Sequence, residues 1–521
     1  MSLARTYSVA LVGVEGHLVE VEADIADGLP ATILVGLPDT ALREARDRIR
    51  AAILNSGRDW PKRKITIGLS PANLPKRGSG FDLAIAIALL AADEAFPLTA
   101  PQGMIFLAEL GLDGRLRPVP GVLPAVVAAA SGGMTTVVVA VENKAEAGLV
   151  PGVRVAAAEN LVQVMDWLRG GPFPHAEVSP APPSPDGPGA VGGHGGQNGA
   201  DSRPRDLSEV LGQSEARKAA EICAAGGHNL SLLGPPGTGK TMLAERLPTI
   251  LPDLRAPEAL EVTSIHSIAG QLPPGAGLIE RPPFCAPHHT ASMAAIVGGG
   301  SGLVRPGAAS LAHRGVLFLD EAPEFHRDVL DALRQPLEAG EVTVARARMY
   351  ATFPARFTLV LAANPCPCAR SAGGGRCTCS PATKIRYLGR LSGPLLDRVD
   401  VKVKLEAVSR RAMLYDREFA EASEIVAKRV ALARDRSACR LAGTPWRVNA
   451  EVPGAELRRG FAPEPGALRQ LDRAMEKEQV TARGVDKIIR VAWSVADLEG
   501  RPRPGKDEIH TALSLWLGMS G

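Results

Sequence analysis

The sequence predicts an α/β protein that divides into at least two domains, one of which contains a phosphate-binding loop. Residues 234–241 read GPPGTGKT and lie between an apolar strand and a helix. Strand-like and helix-like segments alternate on both sides of a Pro/Gly-rich stretch, and segments after about residue 405 are mostly helical. A chain of 521 residues is also too long for a single hydrophobic core.

Periodicity and composition divide the chain into four segments. The first has two candidate paired strands at 8–14 and 17–23 and a helical pattern at 40–56. The second is rich in Pro, Gly and Ser, and it has too few large apolar groups to offset its ordering entropy, which predicts a flexible linker. In the last segment, 411–434 is predicted to be one long helix. The segments are an α/β domain at 1–171, the linker at 172–205, an α/β core at 206–405 and a helical lid at 406–521.

The composition narrows the functional classes. The net charge is +3 and aromatic residues make up 4% of the chain, so a nucleic-acid surface would depend on Arg, Lys and backbone amides more than on base stacking. No apolar run is long enough to span a bilayer, and the first residues lack a signal-peptide pattern, so we expect a cytoplasmic protein with no membrane partner. Seven cysteines, an odd number, argue against a disulfide framework.

The loop at 234–241 has the residues that phosphate binding requires. Its glycines let backbone amides point at phosphate oxygens, and the following helix contributes a favourable dipole. The lysine is expected to contact the β- and γ-phosphates of ATP, and the last threonine to bind Mg²⁺. The predicted phosphate-binding residues are Gly234, Pro235, Pro236, Gly237, Thr238, Gly239, Lys240 and Thr241.

Two later strands end in polar residues that suit the same site. The apolar run 315–319 is followed by Asp320, a candidate Mg²⁺ ligand, and by Glu321, a candidate to polarise the attacking water. A second apolar run, 357–363, ends at Asn364, whose amide could orient that water. Each carboxylate or amide alone is typical of an ordinary turn, and the phosphate-binding loop is what favours catalytic roles.

Several longer runs together resemble one family. They are GHNLSLLGPPGTGKTMLAERLP, PHHTAS, GVLFLDEAPEF, LRQPLE, AANPCPC and LSGPLLDRVD. This combination resembles the YifB/ComM family of magnesium-chelatase-like AAA+ ATPases across the chain except the linker. The resemblance implies a homo-oligomeric ring, usually a hexamer, that ATP promotes, with ATP bound between subunits. It implies that the stretch 210–213 holds adenine, that Arg398 is the arginine finger and that Arg483 is sensor 2 on the lid, with Arg490 as the rival.

The first segment resembles the Lon-protease fold in SPANLPKRGSGFDL and AELGLDGRLRPVPGVLPAV. On that pattern Gly80 occupies the nucleophile position, Ser79 stands one residue early, and the lysine position falls near Pro124. A serine without a base is a weak nucleophile. We therefore expect a binding or assembly domain without protease activity.

A cysteine cluster directly after Asn364 has metal-site spacing. Its four thiolates in C-x-C-x8-C-x-C order could hold a structural Zn²⁺, although four free thiols or a redox switch fit the same residues. The cluster comprises Cys366, Cys368, Cys377 and Cys379.

A candidate hairpin at 341–353 carries Arg346 and Arg348, which could contact a phosphate backbone or belong to a solvated tip.

By family resemblance the leading function is a ring-shaped DNA motor, a helicase or branch-migration factor in recombination or DNA uptake. The alternatives are a chelatase-type remodeller that does not act on DNA and a non-motor switch whose assembly ATP sets. The Lon-like first segment favours the motor, because chelatase ATPase subunits lack it.

Overall fold

The computed structural model describes residues 2–36, 40–76, 78–174, 205–300, 304–346, 349–368 and 377–518. Most of the predicted linker at 172–205 lies outside these residues, as do Arg348 and the side chain of Arg346. The fold class predicted from the sequence is confirmed, since a mixed α/β chain contains a parallel-sheet core followed by a helical region. Within the described part of the chain, no helix is both long and apolar enough to cross a membrane.

The N-terminal part is built on a seven-stranded mixed sheet. The central strands β1 and β2 are antiparallel, and alternate residues of β2, such as Val19 and Val21, are fully buried. In sequence order the strands are β1 Ser2–Val12, β2 Glu15–Ala26, β3 Ala31–Val35, β4 Lys64–Ser70, β5 Met104–Leu107, β6 Glu109–Leu110, β7 Leu116–Arg117, β8 Thr136–Ala140 and β9 Arg154–Ala158. The sheet order is β3-β4-β2-β1-β5-β8-β9, and β6 pairs with β7 separately.

Five helices accompany this sheet. The helix α2 is buried along its whole length because it consists of small and branched apolar residues after its first residue, Asp82. That aspartate is buried too and forms an ion pair with Arg48 at 2.9 Å. The helices are α1 Thr40–Asn55, α2 Asp82–Ala92, α3 Val122–Ser131, α4 Lys144–Ala147 and α5 Leu161–Leu168.

The core sheet has five parallel strands in the order β11-β14-β17-β10-β18. Parallel strands bring their carboxyl ends to one edge, and ligands of open α/β sheets bind there. The strands of this region are β10 Leu230–Leu233, β11 Phe284–Cys285, β12 Gly298–Gly299, β13 Arg305–Pro306, β14 Val316–Leu319, β15 Glu341–Arg346, β16 Met349–Pro354, β17 Thr358–Ala363 and β18 Val401–Lys404. The pairs β12–β13 and β15–β16 are antiparallel hairpins beside the sheet.

Helices of the core lie between these strands. The buried apolar residues of β10, β17 and β18 pack with those of α6 and α7. The helices are α6 Ser214–Gly226, α7 Lys240–Arg246, α8 Ala256–Ala269, α9 Met293–Val297, α10 Ala308–Leu311, α11 Arg327–Ala332, α12 Arg334–Ala339, α13 Pro381–Leu388 and α14 Gly393–Leu396.

The helical region packs around α19, whose buried face contacts α6, α16 and α20. The single helix predicted at 411–434 is wrong, because two helices with a break at 417–422 occupy this stretch. The break follows Asp416, which Arg217 of α6 holds by an ion pair at 2.6 Å, and this tertiary contact is not visible in periodicity. The helices are α15 Arg410–Asp416, α16 Ser423–Arg440, α17 Gly454–Arg459, α18 Arg469–Glu476, α19 Ala482–Glu499 and α20 Lys506–Leu517.

The N-terminal part contacts the core at α8 and at the hairpin β15–β16. The Gly121 amide donates to the Ser267 carbonyl at 3.2 Å, and the Ser267 hydroxyl donates to Glu146. Leu11 packs with the buried Phe353 of β16. At Gly13, φ is +63°, and a Cβ there would lie 2.3 Å from the backbone oxygen of Thr352. The turn between β1 and β2 is therefore in close contact with this hairpin.

Candidate active site

The phosphate-binding loop follows the carboxyl end of β10. Gly237 and Gly239 have φ of +77° and +87°, a left-handed conformation that glycine adopts without penalty. A Cβ added at either position would meet nothing within 4 Å. The loop therefore has open space beside its glycines, and the helix α7 begins directly after it at Lys240. This geometry fits a bound phosphate chain.

Lys240 is nearly buried, and its ammonium group points back into the loop. Nζ donates to the carbonyl oxygens of Gly234 at 2.6 Å and Pro235 at 2.9 Å and to Oδ1 of Asn364 at 3.1 Å. Burial lowers the pKa of Lys240, while the charges of Asp320 and Glu321 act in the opposite direction. The structure thus brings Lys240 and Asn364, which are far apart in sequence, into direct contact.

Thr241 and Asp320 also meet. The Thr241 hydroxyl donates to Oδ2 of Asp320 at 2.7 Å, and Oδ1 of Asp320 accepts from the Glu321 amide at 2.9 Å. A hydroxyl and a carboxylate oxygen are ligands that Mg²⁺ accepts together with phosphate oxygens and water. This pair of side chains therefore fits a magnesium ion beside the phosphate-binding loop.

Glu321 has an unusual backbone conformation. Its φ is +50°, in the left-handed region that residues other than glycine rarely occupy, and such strain concentrates at functional sites. Its side chain is half exposed, and Oε2 lies 3.5 Å from Nδ1 of His289. Sequence reasoning did not predict this contact. The only signal for it is the pair of histidines shortly after β11, which is the neighbour of β14 in the sheet.

The arginines lie at the opposite edge of the sheet. Asn229 precedes β10, and its amide donates to the Arg398 carbonyl oxygen at 2.9 Å. Parallel pairing aligns Leu230 with Val401 at the start of both strands. The four residues of β10, at about 3.3 Å each, separate this edge from the phosphate-binding loop by about 13 Å. We call the ends that carry Gly234, Asp320 and Asn364 the phosphate edge, and the starts of β10 and β18 the arginine edge.

Arg398 and Arg483 lie near each other at the arginine edge. Both form ion pairs with Asp397, Arg398 at 3.4 Å and Arg483 at 3.9 Å, and Arg398 also pairs with Glu338. Burial lowers the pKa of Arg398, and the charges of Arg334 and Arg483 lower it further. Arg483 is 83% exposed. Three guanidinium groups, of Arg334, Arg398 and Arg483, and the carboxylates of Glu338 and Asp397 therefore lie close together at this edge.

Arg490, the rival of Arg483, faces a different environment. Its Nε donates to the Val452 carbonyl oxygen at 2.6 Å, within the helical region. Burial lowers the pKa of Arg490. This side chain therefore stabilises the packing of its own region, whereas Arg483 is largely exposed and forms an ion pair with Asp397.

Comparison with known proteins identifies the family. Three family profiles match the chain. The profile described as "Subunit ChlI of Mg-chelatase" matches residues 21–143, and the one described as "Magnesium chelatase, subunit ChlI" matches residues 206–413. The profile described as "Magnesium chelatase, subunit ChlI C-terminal" matches residues 420–515. The chain is 51% identical over 517 residues to Rv2897c of Mycobacterium tuberculosis, 41% over 514 to YifB of Escherichia coli and 40% over 513 to competence protein ComM of Haemophilus influenzae. These similarities cover 98–99% of this chain and 97–98% of each relative. The chain belongs to the YifB/ComM family of magnesium-chelatase-like proteins. It is an AAA+ ATPase of this family, for which ATP and Mg²⁺ are implied.

This YifB/ComM family member also has a compact cysteine cluster. The sulfur atoms of Cys366, Cys368, Cys377 and Cys379 all lie within 4.8 Å of one another. Tetrahedral zinc with Zn–S bonds of about 2.3 Å requires sulfur separations of about 3.8 Å. The Cys366–Cys368, Cys366–Cys377 and Cys368–Cys377 separations are 3.1, 3.3 and 3.6 Å, all somewhat shorter than that value. The cluster is therefore compatible with a zinc site.

The remaining candidates from the sequence have different outcomes. Arg348 and the Arg346 side chain lie outside the described residues, although the two strands of their hairpin are described. Ser79 donates a hydrogen bond to Glu109, and Pro124 is buried inside α3. The lysine position of the protease pattern, which falls near Pro124, therefore lies in a buried part of α3.

Proposed function

We propose that this protein is a ring-forming ATPase motor, a hexamer in the cytoplasm, that acts on DNA as a helicase or branch-migration factor in recombination or DNA uptake. The observation that carries the proposal is the division of charged groups between the two edges of the core sheet. In one chain Lys240, Thr241, Asp320 and Asn364, to which we assign phosphate and Mg²⁺ contacts, meet at the phosphate edge, and a separate arginine cluster lies at the arginine edge. Neither set alone is a full hydrolysis site.

At the phosphate edge we assign roles to residues of one subunit. Lys240 is to exchange its loop carbonyl partners for the β- and γ-phosphate oxygens of ATP, and the loop amides are to bind the same phosphates. When bound to Thr241 and Asp320, Mg²⁺ supplies positive charge beside the phosphates. Glu321 is to accept a proton from the attacking water, and Asn364 is to orient that water.

At the arginine edge the proposed roles concern a second copy of the chain. Arg398 is to act as the finger on the γ-phosphate of the neighbouring subunit, and Arg483 is to act as sensor 2 on the same phosphates. The support is the separation of the arginine edge from the phosphate-binding loop of the same chain, and the presence there of three guanidinium groups against the two carboxylates of Asp397 and Glu338, which leaves one positive charge for an anionic partner. ATP then promotes ring assembly because each nucleotide contacts two subunits.

The DNA assignment has separate support. The hairpin β15–β16 carries Arg346 and Arg348 in its sequence, and Tyr350 on its second strand is 72% exposed. The turn at Gly13 lies against Thr352 of the same strand, β16. We propose that the two arginines contact phosphates of DNA inside the ring. One relative along nearly the whole length is a competence protein, which fits a motor involved in DNA uptake.

A chelatase-type remodeller is the second candidate, because all three matching profiles are named for a magnesium-chelatase subunit. One of them matches residues 21–143, so the first segment does not by itself favour the motor, contrary to the expectation from the sequence. ATPase activity measured with no DNA, single-stranded DNA and branched DNA separates the two. The motor predicts stimulation by DNA and displacement of a labelled strand, with Lys240→Ala inactive in both assays. ATP hydrolysis that is unaffected by every DNA, with no strand displacement, would instead favour the remodeller.

We also propose that the four cysteines hold one structural Zn²⁺. The support is the spacing of their sulfur atoms and their position directly after Asn364. A metal there holds together a segment whose sequence has few large apolar residues. Elemental analysis after purification without chelators tests this, and a protein without zinc would contradict it.

A further inference from the structure

The helix α19 contacts the short segment of the core that contains Arg398. This segment, residues 397–400, precedes β18 at the arginine edge, and we call it the finger segment. We propose that Lys487 of α19 is a positioning residue that fixes the backbone of the finger segment, so that Arg398 is presented to the ATP of a neighbouring subunit. This inference rests on the proposed role of Arg398. Lys487 acts through the backbone of its own chain and not on the nucleotide.

One face of α19 supplies the contacts with the arginine edge. Arg483, Lys487 and Ser494 follow one another by four and seven residues, a spacing that places side chains on the same face of a helix. Arg483 forms an ion pair with Asp397 at 3.9 Å, and the Ser494 hydroxyl lies 2.7 Å from Nε2 of the buried His228. Lys487 lies between these two contacts, at the end of the finger segment.

The ammonium group of Lys487 binds two groups of the finger segment. Nζ forms an ion pair with Oδ1 of Asp400 at 3.0 Å and donates to the Val399 carbonyl oxygen at 3.4 Å. The side chains of Lys487 and Asp400 are 12% and 10% exposed, so salt screens this pair little. The ring of Trp516 in α20 lies 5.7 Å from the same nitrogen. The cation is therefore held in place directly beside the residue that follows Arg398.

A core residue, Asn229, holds the finger segment from the other side. Its side-chain amide donates to the Arg398 carbonyl oxygen at 2.9 Å, and its Oδ1 accepts from the Leu359 amide of β17 at 2.8 Å. Its backbone amide donates to Oδ2 of Asp400 at 3.2 Å. The backbone around Arg398 thus has one support from the core sheet, Asn229, and one from the helical region, Lys487. The second support makes the placement of Arg398 depend on the placement of α19.

The charge of Asp400 explains why a cation lies at this point. Burial alone would raise the pKa of this carboxyl, but His228 and Lys487 outweigh that effect and hold the pKa well below its usual range. Nδ1 of His228 lies 3.7 Å from Oδ2 of Asp400. An ionised carboxylate therefore keeps the ammonium group of Lys487 within reach of the Val399 carbonyl oxygen.

The position of the finger segment matters because a finger stabilises charge only where its guanidinium group meets the phosphate. A displacement of a catalytic group by about 1 Å can lower a rate on the order of 10²-fold. Without the cation of Lys487, the backbone beside Arg398 loses one of these two supports. We expect Arg398 then to meet the γ-phosphate of the neighbouring subunit less often, while the phosphate edge of the same chain is unchanged.

The first test removes the cation in the full-length protein. Lys487→Met keeps an unbranched side chain without charge and should lower kcat about tenfold, with little change in the KM for ATP. Lys428→Met is the matched control, because Lys428 pairs with Glu424 on the surface of α16 at 2.8 Å and should leave kcat unchanged. An unchanged kcat in Lys487→Met overturns the proposal, as does an equal loss in Lys428→Met.

A second variant separates position from stability. Lys487→Met leaves the buried carboxylate of Asp400 without its lysine and should lower the thermal stability. The double variant Lys487→Met/Asp400→Asn removes that charge and keeps an oxygen that can accept from the Asn229 amide. It should regain thermal stability but not kcat, because the Val399 carbonyl oxygen still lacks its cation. A double variant that regains the original kcat shows that Lys487 only neutralises Asp400, and it overturns the positioning role.

Mixed rings show whose ATP site Lys487 serves. If Lys487 acts through Arg398, a Lys487→Met chain has an intact phosphate edge and gains an intact finger from a Lys240→Ala neighbour. The ATPase rate per Lys487→Met chain should then rise several-fold on mixing with Lys240→Ala, and it should not rise on mixing with Arg398→Ala. The reverse pattern, recovery with Arg398→Ala and none with Lys240→Ala, places the defect at the ATP site of the same chain and overturns the proposal.

The mixture of Arg398→Ala with Lys240→Ala separates failure of the proposed function from failure of this inference. If mixed rings form and this mixture does not recover, the finger role of Arg398 fails, and the inference fails with it. If this mixture recovers and the mixture of Lys487→Met with Lys240→Ala does not, Arg398 is a finger and only the positioning role of Lys487 is wrong.

Discussion

The two edges of the core sheet differ in how their charged residues are held together. At the phosphate edge, hydrogen bonds of 2.6–3.1 Å join Lys240 to the loop and to Asn364, and Thr241 to Asp320. At the arginine edge, Arg398 and Arg483 are held by longer ion pairs, of 3.4 and 3.9 Å, with the carboxylate of Asp397.

This difference suggests how the molecule is used. The phosphate edge carries the residues that we propose to bind ATP, whereas the arginine edge lies at the other end of β10, about 13 Å along the strand. A second copy of the chain can bring the two edges together. The comparison therefore predicts different consequences for changes at each edge.

Among the variants that still bind ATP, the largest effect is expected at the arginine edge. Arg398→Ala should lower kcat by roughly 10³-fold with little change in ATP affinity, because a finger stabilises charge mainly in the transition state. Arg327→Ala is the matched control, since Arg327 is an exposed arginine that forms an ion pair with Asp331 on its own helix. Steady-state ATPase and titration with a fluorescent ATP analogue measure both quantities. If Arg398→Ala instead loses ATP affinity and hydrolyses bound ATP at the normal rate, Arg398 acts in ATP binding. The two edges would then not differ in their role.

At the phosphate edge, Glu321→Gln should bind ATP normally and hydrolyse it about 100-fold more slowly, because an amide cannot accept the proton of water. Glu324→Gln changes a nearby carboxylate that pairs with Arg390 and should leave the rate unchanged. The same two assays apply. Full turnover in Glu321→Gln would exclude Glu321 as the catalytic base.

A smaller effect is expected from the cysteine cluster, which follows Asn364 at the phosphate edge. Replacing its four cysteines with serine should release one Zn²⁺ per chain and lower kcat about tenfold by loosening the loop after Asn364. Ring assembly should persist, because the arginine edge is untouched. Elemental analysis, ATPase assays and light scattering check these outcomes, and zinc retention by the serine variant would contradict them.

The smallest effect is expected far from both edges, at the turn that contacts the hairpin. Gly13→Ala forces a left-handed alanine and places a Cβ against the Thr352 oxygen, so it should lower the free energy of unfolding by about 2 kcal/mol. Gly57→Ala is the control, because Gly57 has φ of +76° but nothing within 4 Å of an added Cβ. The difference between the two variants in thermal unfolding isolates the contact. Equal destabilisation would show that only backbone strain matters.

The sequence predicted those parts of the site that are local in the chain. The phosphate-binding loop, the pair Asp320–Glu321 and Asn364 could be selected because each directly follows an apolar strand, and parallel strands bring such positions to one edge. The contact of Lys240 with Asn364 follows from the same logic. The roles of these residues in hydrolysis stay predictions until the variants are measured.

Other features depend on tertiary packing and could not be read from the sequence. The meeting of Arg398 with Arg483 at Asp397 requires the relative position of the helical region, which no local pattern encodes. The contact of His289 with Glu321 depends on which strands are neighbours in the sheet. The break in the helix predicted at 411–434 follows Asp416, whose ion pair with Arg217 of α6 is likewise a tertiary contact.

Mixing two inactive variants tests the central claim that the two edges of different copies form one active site. Arg398→Ala has an intact phosphate edge and Lys240→Ala an intact arginine edge, so a mixed ring contains interfaces with both. The account predicts that ATPase activity recovers partially on mixing, with a maximum at intermediate ratios, while each variant alone stays inactive. If mixed rings form, as shown by co-purification of differently tagged chains, and no ratio restores hydrolysis, the assignment of Arg398 to the neighbouring site is contradicted.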